Sequence, residues 1–230
     1  MNVGMLAYAG IAGCGIVATE LASELAVRGH EVHFVSGGSP FRLNLDLPGI
    51  HWHSAAVSHF DLFEHPDDLL PIASKLAEVI DGFDLDVVHA HYAVPFGVVA
   101  LLAKKLSERS PRLVITLHGT DVTVLANDSR YAKVFNYAVR SADAVTAVSS
   151  ALIEEVRVRS GQEIDICRIP NFARRPTIGL SKREARDSLA LPTDAFVLLH
   201  MSNMRPLKRF EDILIAISRC DSKPILLVLA

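Results

Sequence analysis

The chain has 230 residues, half of them hydrophobic and 21% charged, with a formal net charge of −3. That balance belongs to a soluble globular protein, long enough for one large domain or for one domain and part of another. It contains no Lys/Arg block to mark a nucleic-acid or anionic-membrane surface, and no apolar run reaches the ~18 residues of a membrane span, so neither nucleic acid nor stable membrane association is expected.

In chain order, short β-rich runs alternate with amphipathic segments. Strands are predicted at Val3–Tyr8, Glu31–Ser36, Asp86–Ala90, Leu113–Leu117, Ala144–Val148 and Asp165–Ile169, with Gly49–Val57 a further one. Helices are predicted at Gly15–Arg28, Pro71–Ile80, Val94–Ser107, Ser129–Arg140 and Ser149–Arg159. In the first of these, Ile16, Val17, Leu21 and Leu25 lie along one apolar side. Such an alternation predicts an α/β domain with a parallel sheet and helices on both faces, and the nearly all-apolar runs DVVHA and LVITL fit strands buried on both sides.

Near Asn171 the texture becomes charged and proline-bearing. We read residues 1–172 as one domain and 173–194 as a linker with a short helix at Lys182–Leu189. Residues 195–230 read as the first β-α-β unit of a second, truncated domain, with strands at Phe196–Met201 and Pro224–Ala230 around a helix at Phe210–Arg219. A unit of that size cannot bury a core alone, so more of the second domain is expected beyond Ala230.

In open parallel sheets ligands gather outside the carboxyl ends of the strands. The residues at those ends are polar, ionisable or glycine: the Gly13-Cys14-Gly15 turn, Ser36-Gly37-Gly38 with Arg42, then His89, His91 and Tyr92, then His118 to Asp121, Ser149-Ser150 and Asn171. The turn admits several readings. Ile11-Ala12-Gly13-Cys14 has the form of a lipobox, but no Lys or Arg precedes Arg28, as a signal peptide would require. Gly13, Gly15 and Ala18 also match GxGxxA, the dinucleotide pattern of an NAD(P)-dependent oxidoreductase. The second strand, however, ends in Val35-Ser36-Gly37-Gly38 without the acid that would hold a ribose. An anion site at a helix N-terminus, or glycines used only for close packing, are the remaining alternatives.

The pairs His51-x-His53 and His89-x-His91 each put two imidazoles on one face of a strand. Parts of a zinc site are therefore present, but only Asp121 stands near as a carboxylate, and no metal is expected. The three cysteines, Cys14, Cys167 and Cys220, form no CxxC and read as reduced thiols in the cytoplasm.

Taken together, the blocks GxGIVATEL, HAHYAVP, TLHGTD, TAVSS, IPNF and SNMRPLKR resemble, in order and over the whole chain, the GT4-type retaining glycosyltransferases of the GT-B fold. Within that family the likeness is to the branch that moves N-acetylglucosamine from UDP-GlcNAc to L-malate in bacillithiol biosynthesis. The resemblance implies two Rossmann-like domains, an N-terminal one for the acceptor and a C-terminal one for the nucleotide sugar. A different acceptor within the same family is the alternative. The partners implied are a UDP-sugar and a small dicarboxylate acceptor, with no cofactor and no metal; self-association into a homo-oligomer is left open.

The resemblance also implies roles. His118 would act catalytically, beside the breaking bond. Arg42, Tyr92, Thr116 and Asn171 would hold the acceptor. Gly13, Cys14, Gly15, Asn203, Arg205 and Lys208 would meet the donor and its diphosphate. Where the family has a Gly-Gly-Ser-Gly loop this chain has Ala12-Gly13-Cys14-Gly15, and a thiol at a helix N-terminus is expected to have a lowered pKa and to be oxidation-sensitive. The family's paired donor-binding glutamates would lie past Ala230, so the 230 residues alone are expected to have little activity.

Overall fold

The computed structural model describes residues 1–11, 13–55, 69–160, 164–173, 179–202, 204–222 and 224–229. The chain divides into two compact units, residues 1–173 and 174–230.

In the first unit the elements run β1 (Asn2–Leu6), α1 (Gly13–Val27), β2 (Glu31–Ser36), β3 (Ile50–Ser54), α2 (Leu69–Gly82), β4 (Val87–His91) and α3 (Val98–Leu106). They continue with β5 (Arg112–Leu117), a single turn α4 (Thr120–Thr123), α5 (Ser129–Ser141), β6 (Ala144–Ala147), α6 (Ser150–Ser160) and β7 (Ile166–Arg168). Among the described residues, seven strands form one sheet in the order β3-β2-β1-β4-β5-β6-β7, every neighbouring pair parallel. The order reverses at β1, between β2 and β4. A doubly wound sheet opens a crevice at its carboxyl edge at such a point.

The sheet is sandwiched as its patterns require. Val88, Ala90, Leu113, Ile115, Leu117, Val145 and Ala147 turn to one face and form the larger core with α2, α3, α5 and α6. On the other face Met5, Val32, Phe34 and Ile50 pack against α1. The stripe of α1 that is buried is not the branched one expected from the sequence. Ala18, Ala22 and Ala26, with Thr19 and Ser23, lie against the sheet, while Ile16, Val17, Leu21 and Leu25 are only half-buried. Small side chains let the helix axis approach the strands closely, and the larger ones fill its flank.

Two further elements differ from expectation. The helix predicted over Val94–Ser107 begins with an irregular turn, Ala93–Gly97, in which Val94 is extended at φ −125° and ψ 125°. Pro95 explains this, because proline disfavours the helical region for the residue before it. The helix α1 opens at Gly13, so the three residues Gly13–Gly15 form its first turn and not a loop ahead of it. Of the stretch Gly49–Val57, residues 50–54 are strand and Val57 lies outside the described residues.

The second unit comprises α7 (Lys182–Ser188), β8 (Val197–Met201), α8 (Phe210–Ser218) and β9 (Ile225–Leu229), with β8 and β9 parallel. A capping box starts α7: Ser181 N–H donates to the Glu184 carboxylate at 2.7 Å, and Glu184 N–H returns to the Ser181 hydroxyl. Helix α7 lies within the segment read as a linker.

Candidate active site

The site is built on the carboxyl ends of β1, β4 and β5. Strands β4 and β5 align His91 with Thr116, so the two loops that follow emerge side by side. Asp121 ties them together. One carboxylate oxygen accepts the backbone N–H of Ala93 at 3.1 Å, and the other accepts those of His118, Gly119 and Val122 at 3.2, 3.0 and 3.2 Å. Asp121 is fully buried. Burial pushes its pKa up, while the backbone N–H groups pull it the other way.

His118, the residue singled out in the TLHGTD block, is half-buried at this rim, and desolvation brings its pKa down to about 4. The ring is therefore neutral at physiological pH, able to give or take a hydrogen bond but carrying no charge. Its Nε2 lies 2.9 Å from Nδ1 of buried His91, and the rings stack with centroids 5.0 Å apart. His89 stacks on the other side of His91 at 4.5 Å, and its Nε2 meets the Thr116 hydroxyl at 2.7 Å; Thr116 in turn meets Thr146 at 2.7 Å. The HAH pair thus serves two separate runs: His89 leads through Thr116 to Thr146 across β4, β5 and β6, and His91 leads to His118.

Tyr92 stands at φ 85°, a conformation that costs a non-glycine residue of order 1–3 kcal/mol and is held here by Tyr92 N–H donating to Thr116 O at 3.0 Å. That backbone turns its ring edge-on to His118, centroids 5.4 Å apart, and to Tyr8 at 5.8 Å; Phe96 closes on Tyr8 at 4.8 Å. Tyr8 and Phe96 were not among the residues picked from sequence. The Tyr92 hydroxyl lies near Cys14 and Thr120, and burial raises the Tyr92 pKa.

Cys14 corrects an expectation. It is buried, 5% exposed, close to Tyr92, and desolvation raises its pKa although Tyr92 and nearby backbone groups act the other way. The helix-end amides lower it less than burial raises it, so the placement does not make an acidic, oxidation-prone thiol. Its neighbours explain the glycines unequally. A Cβ on Gly15 would collide with Tyr8 O and lie 2.9 Å from Gly10 O, whereas one on Gly13 would meet nothing within 4 Å. Gly15 permits the close approach of helix and loop; Gly13 is exposed at the helix start.

Two cavities flank this rim. One, of about 650 Å³, opens beyond β1 and β2 and is lined by Tyr8, Gly37, Gly38, Phe96 and Tyr131 among others. The second, of about 320 Å³, lies between α1 and the sheet, where Val17, Leu21, His89, His91, Thr116 and Asn171 line it. The four residues expected to hold an acceptor are therefore spread out. Thr116 and Asn171 share the smaller cavity, and Tyr92 faces Cys14 and His118. Arg42 is exposed and paired with Glu20 of α1 at 2.9 Å. In the second unit Arg205 precedes a short turn, Pro206–Lys208, that contains Lys208, and both side chains are exposed. Asn203 lies outside the described residues.

Among the described residues, no group of three or more His, Cys, Asp or Glu side chains converges as metal ligands would. The His51/His53 pair instead joins His33: His33 Nδ1 is 2.9 Å from His53 Nε2, and His51 bonds Glu31 at 2.7 Å. No helix among the described residues is long and apolar enough to cross a membrane.

A parallel sheet with polar strand ends, repeated in a second α/β unit, is the architecture of the GT-B glycosyltransferases. Residues 11–173 match the family model described as Glycosyltransferase Family 4, and the chain belongs to that family. It is 36% identical over 220 residues to the N-acetyl-alpha-D-glucosaminyl L-malate synthase of Bacillus anthracis, an alignment covering 95% of this chain and 58% of that protein. Among solved structures, Anabaena HepE in complex with UDP and glucose superposes with a TM-score of 0.75 at 18% identity, over 99% of this chain and 60% of that one. A glycosyltransferase from Rickettsia africae gives 0.68 at 18% identity, over all of this chain and 68% of its own. The chain thus spans about three-fifths of the length of the malate synthase and of HepE.

Proposed function

We propose that the whole protein transfers N-acetylglucosamine from UDP-GlcNAc to L-malate, with retention at the anomeric carbon. The observation that carries this reading is the 36% identity, over 95% of the chain, to a protein named for that reaction. The neutral His118 next to Tyr92 at the sheet's carboxyl rim fits the role. An uncharged imidazole can hold a sugar hydroxyl without competing for the proton that the reaction moves. In the transfer, the malate hydroxyl oxygen bonds to the anomeric carbon as the bond from that carbon to the β-phosphate oxygen breaks. The hydroxyl proton passes to that leaving oxygen. Arg205 and Lys208 would offset the charge that builds on the diphosphate.

The same rim supports a second reading. The larger cavity has far more room than a four-carbon diacid needs, and neither cavity has a Lys or Arg among its described lining residues. A bulkier, less acidic acceptor would suit it. Incubating the full-length protein with UDP-GlcNAc and, separately, L-malate, an inositol phosphate and a lipid-linked sugar decides between them. Mass spectrometry identifies the product and proton NMR its anomer. An α-linked GlcNAc-malate is expected; turnover with another acceptor and none with malate transfers the assignment to the second reading.

A further inference from the structure

His91 lies outside the roles assigned above, yet its side chain meets His118 nitrogen to nitrogen. The ring is 1% exposed, and its two nitrogens have unequal surroundings. Nδ1 faces His118 Nε2 at 2.9 Å, whereas Nε2, among the described residues, has no hydrogen-bond partner and is shut off from solvent.

Both rings are held neutral, His91 well below the ordinary value and His118 at about 4, so one proton lies between the two facing nitrogens. Two arrangements are open. If His118 Nε2–H donates, His91 Nδ1 accepts, and the His91 proton must sit on Nε2, leaving a buried N–H with nothing to accept it. If His91 Nδ1–H donates, the orphaned Nε2 is only an unused lone pair. Orphaned buried N–H groups are the rarer and more costly case. The second arrangement therefore prevails, and it fixes His118 as well: with Nε2 accepting, the His118 proton resides on Nδ1.

We propose that His91 is a positioning residue that locks His118 in the Nδ1–H tautomer, making it a hydrogen-bond donor to the substrate through Nδ1. The role rests on the glycosyltransferase reading, while the tautomer itself does not. A donor at this position suits a sugar hydroxyl or ring oxygen, both of which accept. It also explains why two neutral imidazoles meet nitrogen to nitrogen, one buried and one half-buried, where an apolar pair would pack as well: the inner ring sets the proton position of the outer one. No Asp or Glu side chain among the described residues hydrogen-bonds to either ring; Asp121, three residues after His118, is engaged by backbone N–H groups.

Long-range 1H–15N correlation of the imidazole resonances at pH 7.5 tests the proposal on the unaltered protein, with no substitution and no activity required. For His118, Nδ1 is expected to resonate as a protonated, pyrrole-type nitrogen and Nε2 as a pyridine-type one. The opposite pattern, or fast averaging between the two, overturns the lock. His91→Asp supplies only an acceptor and is expected to move the His118 proton to Nε2; an unchanged pattern in a folded variant also overturns it. In the full-length enzyme His91→Leu is expected to lower kcat about tenfold with KM for the donor little altered, less than the loss of a direct donor. Equal loss in kcat and in donor affinity, with the thermal midpoint lowered to match, would assign His91 a packing role instead. The NMR result stands whatever the acceptor assay gives, so failure of the lock and failure of the malate reading remain separate outcomes.

Discussion

The Asp121 carboxylate accepts the backbone N–H of Ala93 at 3.1 Å, joining the loop after β4 to the loop after β5 by a side chain that is itself fully buried. Its other oxygen takes three more N–H groups. Asp121→Ala would leave four buried or half-buried donors without an acceptor, each worth about 1–3 kcal/mol when stranded. Partial relief by water brings the expected loss to about 3–5 kcal/mol, a large part of a typical domain's stability. Asp121→Asn keeps one accepting oxygen and is expected to lose about half as much. Urea unfolding of the two variants checks the order; equal losses would mean that the clamp is not held as described.

Gly15 and Gly13 share the first turn of α1 but differ in purpose. Gly15→Ala forces a methyl against Tyr8 O and Gly10 O, both backbone atoms that cannot swing away. A cost of about 1–3 kcal/mol is expected from such overpacking. Gly13→Ala meets nothing within 4 Å and replaces a poor helix former by a good one, so it is expected to be neutral or to stabilise by up to about 1 kcal/mol. Thermal midpoints of the two proteins decide it; a matched fall in both would show that the helix begins elsewhere.

The buried histidines make stability depend on pH in a defined window. His33, 3% exposed, has its pKa lowered to about 4 by desolvation and by His51 and His53, and His89 and His118 are likewise near 4. Between the unfolded value of about 6.5 and the folded value, the unfolded chain binds more protons, so stability rises with pH there. It is therefore complete above about pH 6.5, falls as the pH drops towards 4, and levels off below. For His33 alone the drop is about 3 kcal/mol. Urea midpoints at pH 7.5 and pH 5 are expected to differ sharply, and His33→Gln to make the slope shallower. A midpoint constant over that range contradicts the burial of these rings.

The thiols sort by burial. Cys167 and Cys220 are exposed and Cys14 is buried with a raised pKa. A colorimetric thiol reagent at neutral pH is expected to titrate two groups quickly and a third only slowly, and Cys14→Ser to remove the slow phase alone. Loss of a fast phase in that variant would restore the reactive thiol that the helix end suggested.

Much of this was legible in the chain. The run Glu31–Ser36 is strand from end to end because Val32, Phe34 and Val35 pack on opposite faces of a central strand, and the polar strand ends did locate the rim. What was not legible depends on partners distant in sequence. Cys14 read as reactive because helix polarity is a local property, whereas its burial depends on the packed structure around it. The alanine stripe of α1 outranked the leucines because the separation of helix and sheet is set by the whole layer. Asp121 stood beside the histidines as a candidate metal ligand, but its donors are backbone groups, which leave no mark on residue type. The HAH pattern, too, suggested metal; only the register that puts His91 near His118 shows the two rings binding each other.

All seven strands of the first sheet point the same way, so the loops at its carboxyl edge are anchored on a regular framework of strands and helices. The polar tips can therefore be exchanged one at a time without re-registering a strand. A lineage could reshape the segment after Ser36 while the carboxylate staple beneath His118 stays as it is. On this architecture the rim changes by small steps over a framework that is inherited intact.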